Sequence, residues 1–215
     1  MINFQSDTGN RDNLQHNHSH IVILVGRSGS GKGTQGFFIK EYFEKKFPQL
    51  TTHYISTGER FRNFINSGSY SAELSKKINT EGGLQPEFLA IWNWSNILVD
   101  TVKEKSNVIF DGAPRKLHEG EVLDSAIKFY NWQKPLVLEI DVSPETALER
   151  LLSRRREDDS KEVIKERLSW YERDVVPLIN WYQGNPLYTY KKINGERTVD
   201  EIKNEITTYL ESHLN

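Results

Sequence analysis

The stretch GRSGSGKGTQ, Gly26 to Gln35, gathers residue types that bind phosphate. Glycines 26, 29 and 31 let the backbone curl until its N–H groups converge on an anion, and Lys32 adds a full positive charge. The apolar run Ile21 to Val25 precedes the loop and a helical pattern follows Lys32, so the order is strand, turn, helix N-terminus, whose dipole also favours anions. Contacts to phosphate are expected from Gly26, Gly29, Ser30, Gly31, Lys32, Gly33 and Thr34. The commoner form of such a loop has Ser or Thr directly after the lysine. Here Gly33 stands there, and Thr34 offers its hydroxyl one place later.

A second set of residues matches that chemistry. Moving a phosphoryl group onto another phosphate brings several negative charges together, so a protein must neutralise and align them; a phosphate acceptor is already a nucleophile and needs no general base. Arginines suit this work because their planar forks grip phosphate oxygens in pairs, and Arg62, Arg115, Arg150, Arg154, Arg156 and Arg167 are candidates. On composition alone each would be a solvated helix face or a weak surface ion pair. Arg115 and Arg167 sit within longer motifs, whereas Arg154, Arg155 and Arg156 run consecutively and leave their register open. Asp111 follows the apolar run Val108 to Phe110, which should place it at a strand's carboxyl end, facing the crevice where open α/β sheets bind ligands. A carboxylate there can order the waters of a Mg²⁺ ion bridging donor phosphates, although an Asp-Gly pair also simply makes a turn.

The rest of the chain must position these groups. At 215 residues it fits one α/β domain. Its 28 basic and 30 acidic residues leave a net charge of -2, so no global basic field holds nucleic acid or an anionic membrane. Cysteine is absent, which removes disulfides, thiolate catalysis and Cys-type zinc sites. The longest apolar run is far too short to cross a bilayer, and the reading is a soluble, cytoplasmic protein. Residues 1–20 are polar and read as a mobile tail, in which His16, His18 and His20 bind only adventitious metal ions. Strand-like runs at Ile21 to Val25, Thr52 to Ile55, Val108 to Phe110, Leu136 to Val142 and Tyr188 to Ile193 alternate with helical patterns. Those begin after Lys32, around Glu59, at Pro86, near Glu119, at Pro144, after Asp159 and at Val199. The fold class is therefore α/β: a parallel sheet of about five strands flanked by helices. Residues 56–85, punctuated by four glycines, read as a helical insertion, and 154–159 as a charged excursion between two helices.

Beyond this reading, the chain resembles the adenylate kinase branch of the nucleoside monophosphate kinases. GxxGxGKGTQ is similar to that family's phosphate loop, ISTGERFR (Ile55 to Arg62) to the start of its monophosphate-binding helices, and DGAPR (Asp111 to Arg115) to its D-G-F-P-R motif. VLEIDVSPETALERLLSRR and DDSKEVIKERLSWYERDVVPLI resemble the strand and helices that follow, in the same order to the C-terminus. The resemblance implies transfer of the γ-phosphoryl group of ATP, with Mg²⁺ and without zinc, to a nucleoside monophosphate, foremost AMP, by a monomeric enzyme. It implies that Thr57 lies by the acceptor base, that Arg62 and Arg115 hold the acceptor phosphate, that Arg154, Arg156 and Arg167 surround the transferring group, and that Arg150 stacks on the donor base.

Three departures bear on those expectations. Only Arg155 separates Arg154 from Arg156, so the lid at 154–159 is a stub that should exclude water less well than a longer one, and some ATP hydrolysis without acceptor is expected. Ala113 stands where the family has phenylalanine. Four residues beyond Arg115, where the adenylate-specific pattern has a glutamine that pairs with adenine, stands Glu119. An ionised carboxylate only accepts hydrogen bonds and meets the lone pair of adenine N1, a mismatch worth roughly 1–3 kcal/mol for each unsatisfied group; a protonated one escapes that conflict. GMP, CMP and UMP therefore stay open as acceptors. So does a nucleotide-binding regulatory protein without efficient turnover, whereas a P-loop kinase of a non-nucleotide molecule leaves the Thr57 to Arg62 insertion unexplained. Trp92 and Trp94, on the helix beside the acceptor region, read as packing residues.

Overall fold

A computed structural model describes residues 19–154 and 160–214. Five parallel strands, β1 (Ile21–Val25), β2 (Thr51–Ser56), β3 (Ser106–Asp111), β4 (Leu136–Asp141) and β5 (Thr189–Asn194), form one sheet in the order β2-β3-β1-β4-β5. β1 is the middle strand, paired on one side with β3 (Leu24 opposite Asp111) and on the other with β4 (Val25 opposite Glu139). All five of its side chains are buried, as expected of a strand covered on both faces. Ile21, Ile23 and Val25 point into one core, and Val22 and Leu24 into the other.

The helices divide between those two cores. On one face α1 (Lys32–Lys46) and α9 (Val199–His213) pack through Ile39, Phe43, Ile202, Ile206 and Leu210. On the other lie α4 (Glu87–Thr101), α5 (Leu117–Phe129), α7 (Lys161–Trp170) and α8 (Val176–Gly184), with Trp94, Leu98, Leu123, Trp170 and Leu178 in the core. A π-helical turn, Tyr171–Val175, joins α7 to α8. The short helices α2 (Thr57–Phe64) and α3 (Tyr70–Thr80) lie between β2 and α4, and α6 (Pro144–Ser153) follows β4. Two helix starts are capped by serine: Ser143 Oγ accepts the Thr146 N–H at 3.1 Å with Pro144 in the first turn, and Ser160 Oγ accepts that of Val163 at 3.2 Å.

Several expectations shift at the edges. β3 begins two residues before the apolar run because Ser106 and Asn107, both fully buried, have partners: Ser106 Oγ accepts from Lys103 N, and Asn107 Oδ1 from His20 N. That bond removes Ser19 and His20 from the expected mobile tail. Ser19 Oγ accepts from Ser106 N, and the His20 ring lies 4.3 Å from that of Phe47, so this histidine extends β1 against the core. His16 and His18 lie outside the described residues. Trp94 is core, edge-on to Phe110, but Trp92 is 43% exposed against Phe64, so the packing role holds fully only for Trp94. Among the described residues no helix is long and apolar enough to cross a membrane.

Candidate active site at the carboxyl edge of the sheet

The carboxyl ends of β1, β2 and β3 open into a cleft of about 940 Å³, floored by the glycine-rich loop and walled by α2, the Gly82–Gln85 turn, α6, α7 and the start of α9. The loop holds its shape through residues that cannot carry a side chain. Gly26 has φ 140°, and a Cβ there would lie 2.4 Å from the Ile140 carbonyl; at Gly29, φ 85°, it would lie 2.6 Å from that of Ala147. The loop thus lies against β4 and α6 and leads into the N-terminus of α1, a place that favours anions.

Lys32, the first residue of α1, folds back over the loop. Its Nζ donates to the carbonyls of Gly26 (2.8 Å) and Arg27 (2.7 Å) and approaches Ser30 Oγ at 3.4 Å. Burial pushes its pKa down from 10.5 to about 8, against the pull of Asp111 and with a further push from Arg115 and Arg154. Those same groups were nominated from the sequence for one phosphate-handling site. Arg150 links the loop to the turn after β5, donating to Gly195 O at 2.9 Å and Ser30 O at 3.4 Å. Arg154 ends α6, exposed at the mouth of the cleft. Arg156, expected beside it, lies outside the described residues, as do Asp158 and Asp159.

The opposite end is organised by the Asp111–Arg115 turn. Thr57 Oγ1 donates to Gly112 O at 2.8 Å, tying the start of α2 to the end of β3, and Arg115 Nε donates to the same carbonyl at 2.7 Å. Arg62 lines the cleft from the last turn of α2 and makes no hydrogen bond or ion pair through its guanidinium among the described residues. Arg167, buried on α7, completes this wall. Ala113 is buried at the edge of the core and also lines the cleft. Glu119, 3% exposed, accepts the Arg115 backbone N–H through Oε2 at 3.1 Å. Burial raises its pKa from the usual carboxylate value, opposed by that hydrogen bond and by the Arg115 charge.

Asp111 sits at the end of β3, as expected, and presents one oxygen to the cleft because the other is taken. Tyr54 on β2 donates to Oδ2 at 2.7 Å, while Oδ1 has no hydrogen bond among the described residues. Buried against that carboxylate, the Tyr54 phenol has its pKa raised and stays neutral. No group of three acidic, histidine or cysteine side chains gathers among the described residues. A single carboxylate beside phosphate oxygens nevertheless fits Mg²⁺, which keeps most of its waters.

Sequence reasoning missed Tyr54, since a tyrosine in a strand looks like packing until its partner is known. It also missed Gln35, buried on α1, whose Nε2 donates to Val199 O at 3.1 Å and ties the loop's helix to α9. The third omission is Trp170, whose Nε1 donates to Gly82 O at 3.1 Å and whose ring lies 5.4 Å below the Arg115 guanidinium.

Comparison with known proteins places the sequence beside one family. The adenylate kinase family model matches residues 24–186. Adenylate kinase of Phocaeicola vulgatus is 34% identical over 88% of this chain and 97% of its own length. Adenylate kinase isoenzyme 1 of Rattus norvegicus is 32% identical over 89% and 94%, and adenylate kinase of Wolinella succinogenes 32% over 90% and 98%. Matched by that family model over most of its length and by relatives along nearly all of it, the chain belongs to the adenylate kinase family.

Proposed function

We propose that the protein is a cytoplasmic, monomeric nucleoside monophosphate kinase that transfers the γ-phosphoryl group of ATP to AMP, yielding two ADP. The carrying observation is one cleft with Lys32 and the glycine-rich loop at one end and Arg62 and Arg115 at the other. Two phosphate-binding groups facing a shared space suit a reaction between two phosphates better than binding of one nucleotide.

In this reading the loop amides and Lys32 hold the donor phosphates, while Arg62 and Arg115 hold the acceptor phosphate in line. An acceptor oxygen attacks the γ-phosphorus as the bond from that phosphorus to the β-phosphate oxygen breaks, and no proton need move. Arg167 and Arg154, with Arg156 from the 155–159 segment, neutralise charge on the transferring group. Arg150, held between Ser30 O and Gly195 O, flanks the donor nucleoside. Asp111, steadied by Tyr54, would hold Mg²⁺ through water, and the ion would supply charge neutralisation across the donor phosphates.

Glu119 supports adenine once its protonation is considered. As a neutral acid it carries an O–H donor on Oε1 beside the Oε2 acceptor, the pairing that adenine N1 and its amino group require. Burial favours this neutral form. The test is a coupled ADP-release assay with ATP and each of AMP, GMP, CMP and UMP. Turnover with AMP at least tenfold above the others is expected; a preference for another monophosphate would overturn the AMP assignment, and no turnover with any would overturn the kinase reading.

A further inference from the structure

Arg27 lies inside the phosphate loop, yet its side chain points away from the cleft. Its side chain is 14% exposed, and its guanidinium is held from three directions. From the end of β4, Val142 O accepts from Nη1 at 3.1 Å and Asp141 Oδ1 lies 3.6 Å away. From the π turn, Glu172 pairs with Nη2, and the Tyr171 ring lies 4.2 Å below Cζ. Asp141 is itself held by Lys192 at 2.7 Å, so the network is braced from β5. The backbone of the same residue works on the other side of the loop, where Arg27 O accepts from Lys32 Nζ at 2.7 Å.

The π turn matters because it sits where the two halves of the cleft meet. Immediately before it, Trp170 reaches the insertion through Gly82 O and underlies Arg115, and Arg167 lies one turn earlier. Within it, Tyr171 and Glu172 face Arg27. π-helical turns cost regular hydrogen bonding and concentrate at functional sites. Here the turn lets neighbouring residues of one helical segment face the acceptor side and the donor loop in succession.

We propose that Arg27 is a positioning residue that clamps the phosphate loop to the π turn, holding Lys32 in register with Arg115 and Arg167 during phosphoryl transfer. Arginine is required at this place, because only a planar fork reaches the Val142 carbonyl and Glu172 together while stacking on Tyr171. A clamp of this kind acts on alignment. Its loss should lower kcat more than it raises KM, since alignment of Lys32 with the transferring group is realised in the transition state.

The proposal rests on the kinase reading, and wild-type turnover of ATP with AMP tests that reading separately. With the active wild type as reference, Arg27→Ala and Arg27→Lys are compared by kcat, by KM for MgATP and AMP, and by the pH profile of kcat/KM for MgATP. Both variants are expected to lose about 10- to 100-fold in kcat, to change KM for AMP less than threefold, and to move the alkaline limb of the profile upward as the loosened loop lets water reach Lys32. Glu172→Gln, at an exposed partner, should lose only two- to fivefold; it and Arg27→Lys cover the case in which Arg27→Ala fails to fold. Wild-type kcat in Arg27→Lys, or an unmoved alkaline limb in folded variants with reduced kcat, would overturn the proposal.

Discussion

Raising the pH through the depressed pKa of Lys32 isolates that group. In the free protein burial holds the ammonium near 8 instead of 10.5, a difference of about 2.5 units. At pH 9 about a tenth of the free protein keeps the charge, and kcat/KM for MgATP should fall about tenfold for each further pH unit. Bound triphosphate returns negative charge to Nζ, so the limb in kcat should lie at higher pH than the limb in kcat/KM. Stability moves in the opposite sense. Between pH 8 and 10.5 the unfolded chain holds the proton that folded Lys32 has released, so this residue's contribution rises with pH, by at most about 1.4 kcal/mol per unit. Because Lys32 keeps some contact with solvent, a total gain of about 1–2 kcal/mol is expected rather than the full gap. The assay is steady-state kinetics from pH 6.5 to 10.5 beside urea unfolding of wild type and Lys32→Met over the same range. A kcat/KM limb at or above pH 10, or identical pH slopes of stability in the two proteins, would refute the reasoning.

Other substitutions address the remaining parts of the site. Arg62→Ala should raise KM for AMP at least tenfold and leave KM for MgATP within twofold, read in the same coupled assay, because this guanidinium has no structural partner among the described residues to lose. Glu119→Gln should keep AMP turnover and flatten its pH dependence: in wild type, KM for AMP should rise as pH climbs through the raised pKa of Glu119, whereas an amide has no proton to lose. Gly29→Ala should cost about 2–4 kcal/mol in urea unfolding, given φ 85° and a Cβ 2.6 Å from the Ala147 carbonyl. Tyr54→Phe removes the hydroxyl that fixes Asp111 and should raise the Mg²⁺ concentration for half-maximal activity severalfold, with a stability loss of about 1 kcal/mol.

The sheet and the loop were legible because their signals are local. β1 is a continuous apolar run, β4 is apolar but for Glu139 and its terminal Asp141, and glycine, lysine and a helix start fall at fixed spacing after β1. Strand ends were less visible where polar residues are buried with partners far along the chain, as with Asn107 and His20. The site divides in the same way. Arg115 and Asp111 announce themselves within one short turn, whereas Tyr54 becomes a site residue only when β2 pairs with β3 and brings its hydroxyl to Asp111. The π turn has no periodic signature, because one extra residue shifts the helical pattern without breaking it. Its consequence, Tyr171 and Glu172 facing Arg27, rests on contacts about 145 residues apart in the chain. Glu119 was visible as a departure, but its burial and its bond to the Arg115 amide required the folded turn.

The central claim is that one cleft joins a donor and an acceptor phosphate. Incubating the protein with ATP labelled at the γ-phosphate, AMP and Mg²⁺, and then separating the products, tests it directly. The account predicts label in the β-phosphate of ADP, two ADP formed for each ATP consumed, and only a minor fraction as inorganic phosphate. Label appearing mainly as inorganic phosphate, or ATP retained unchanged, would contradict it.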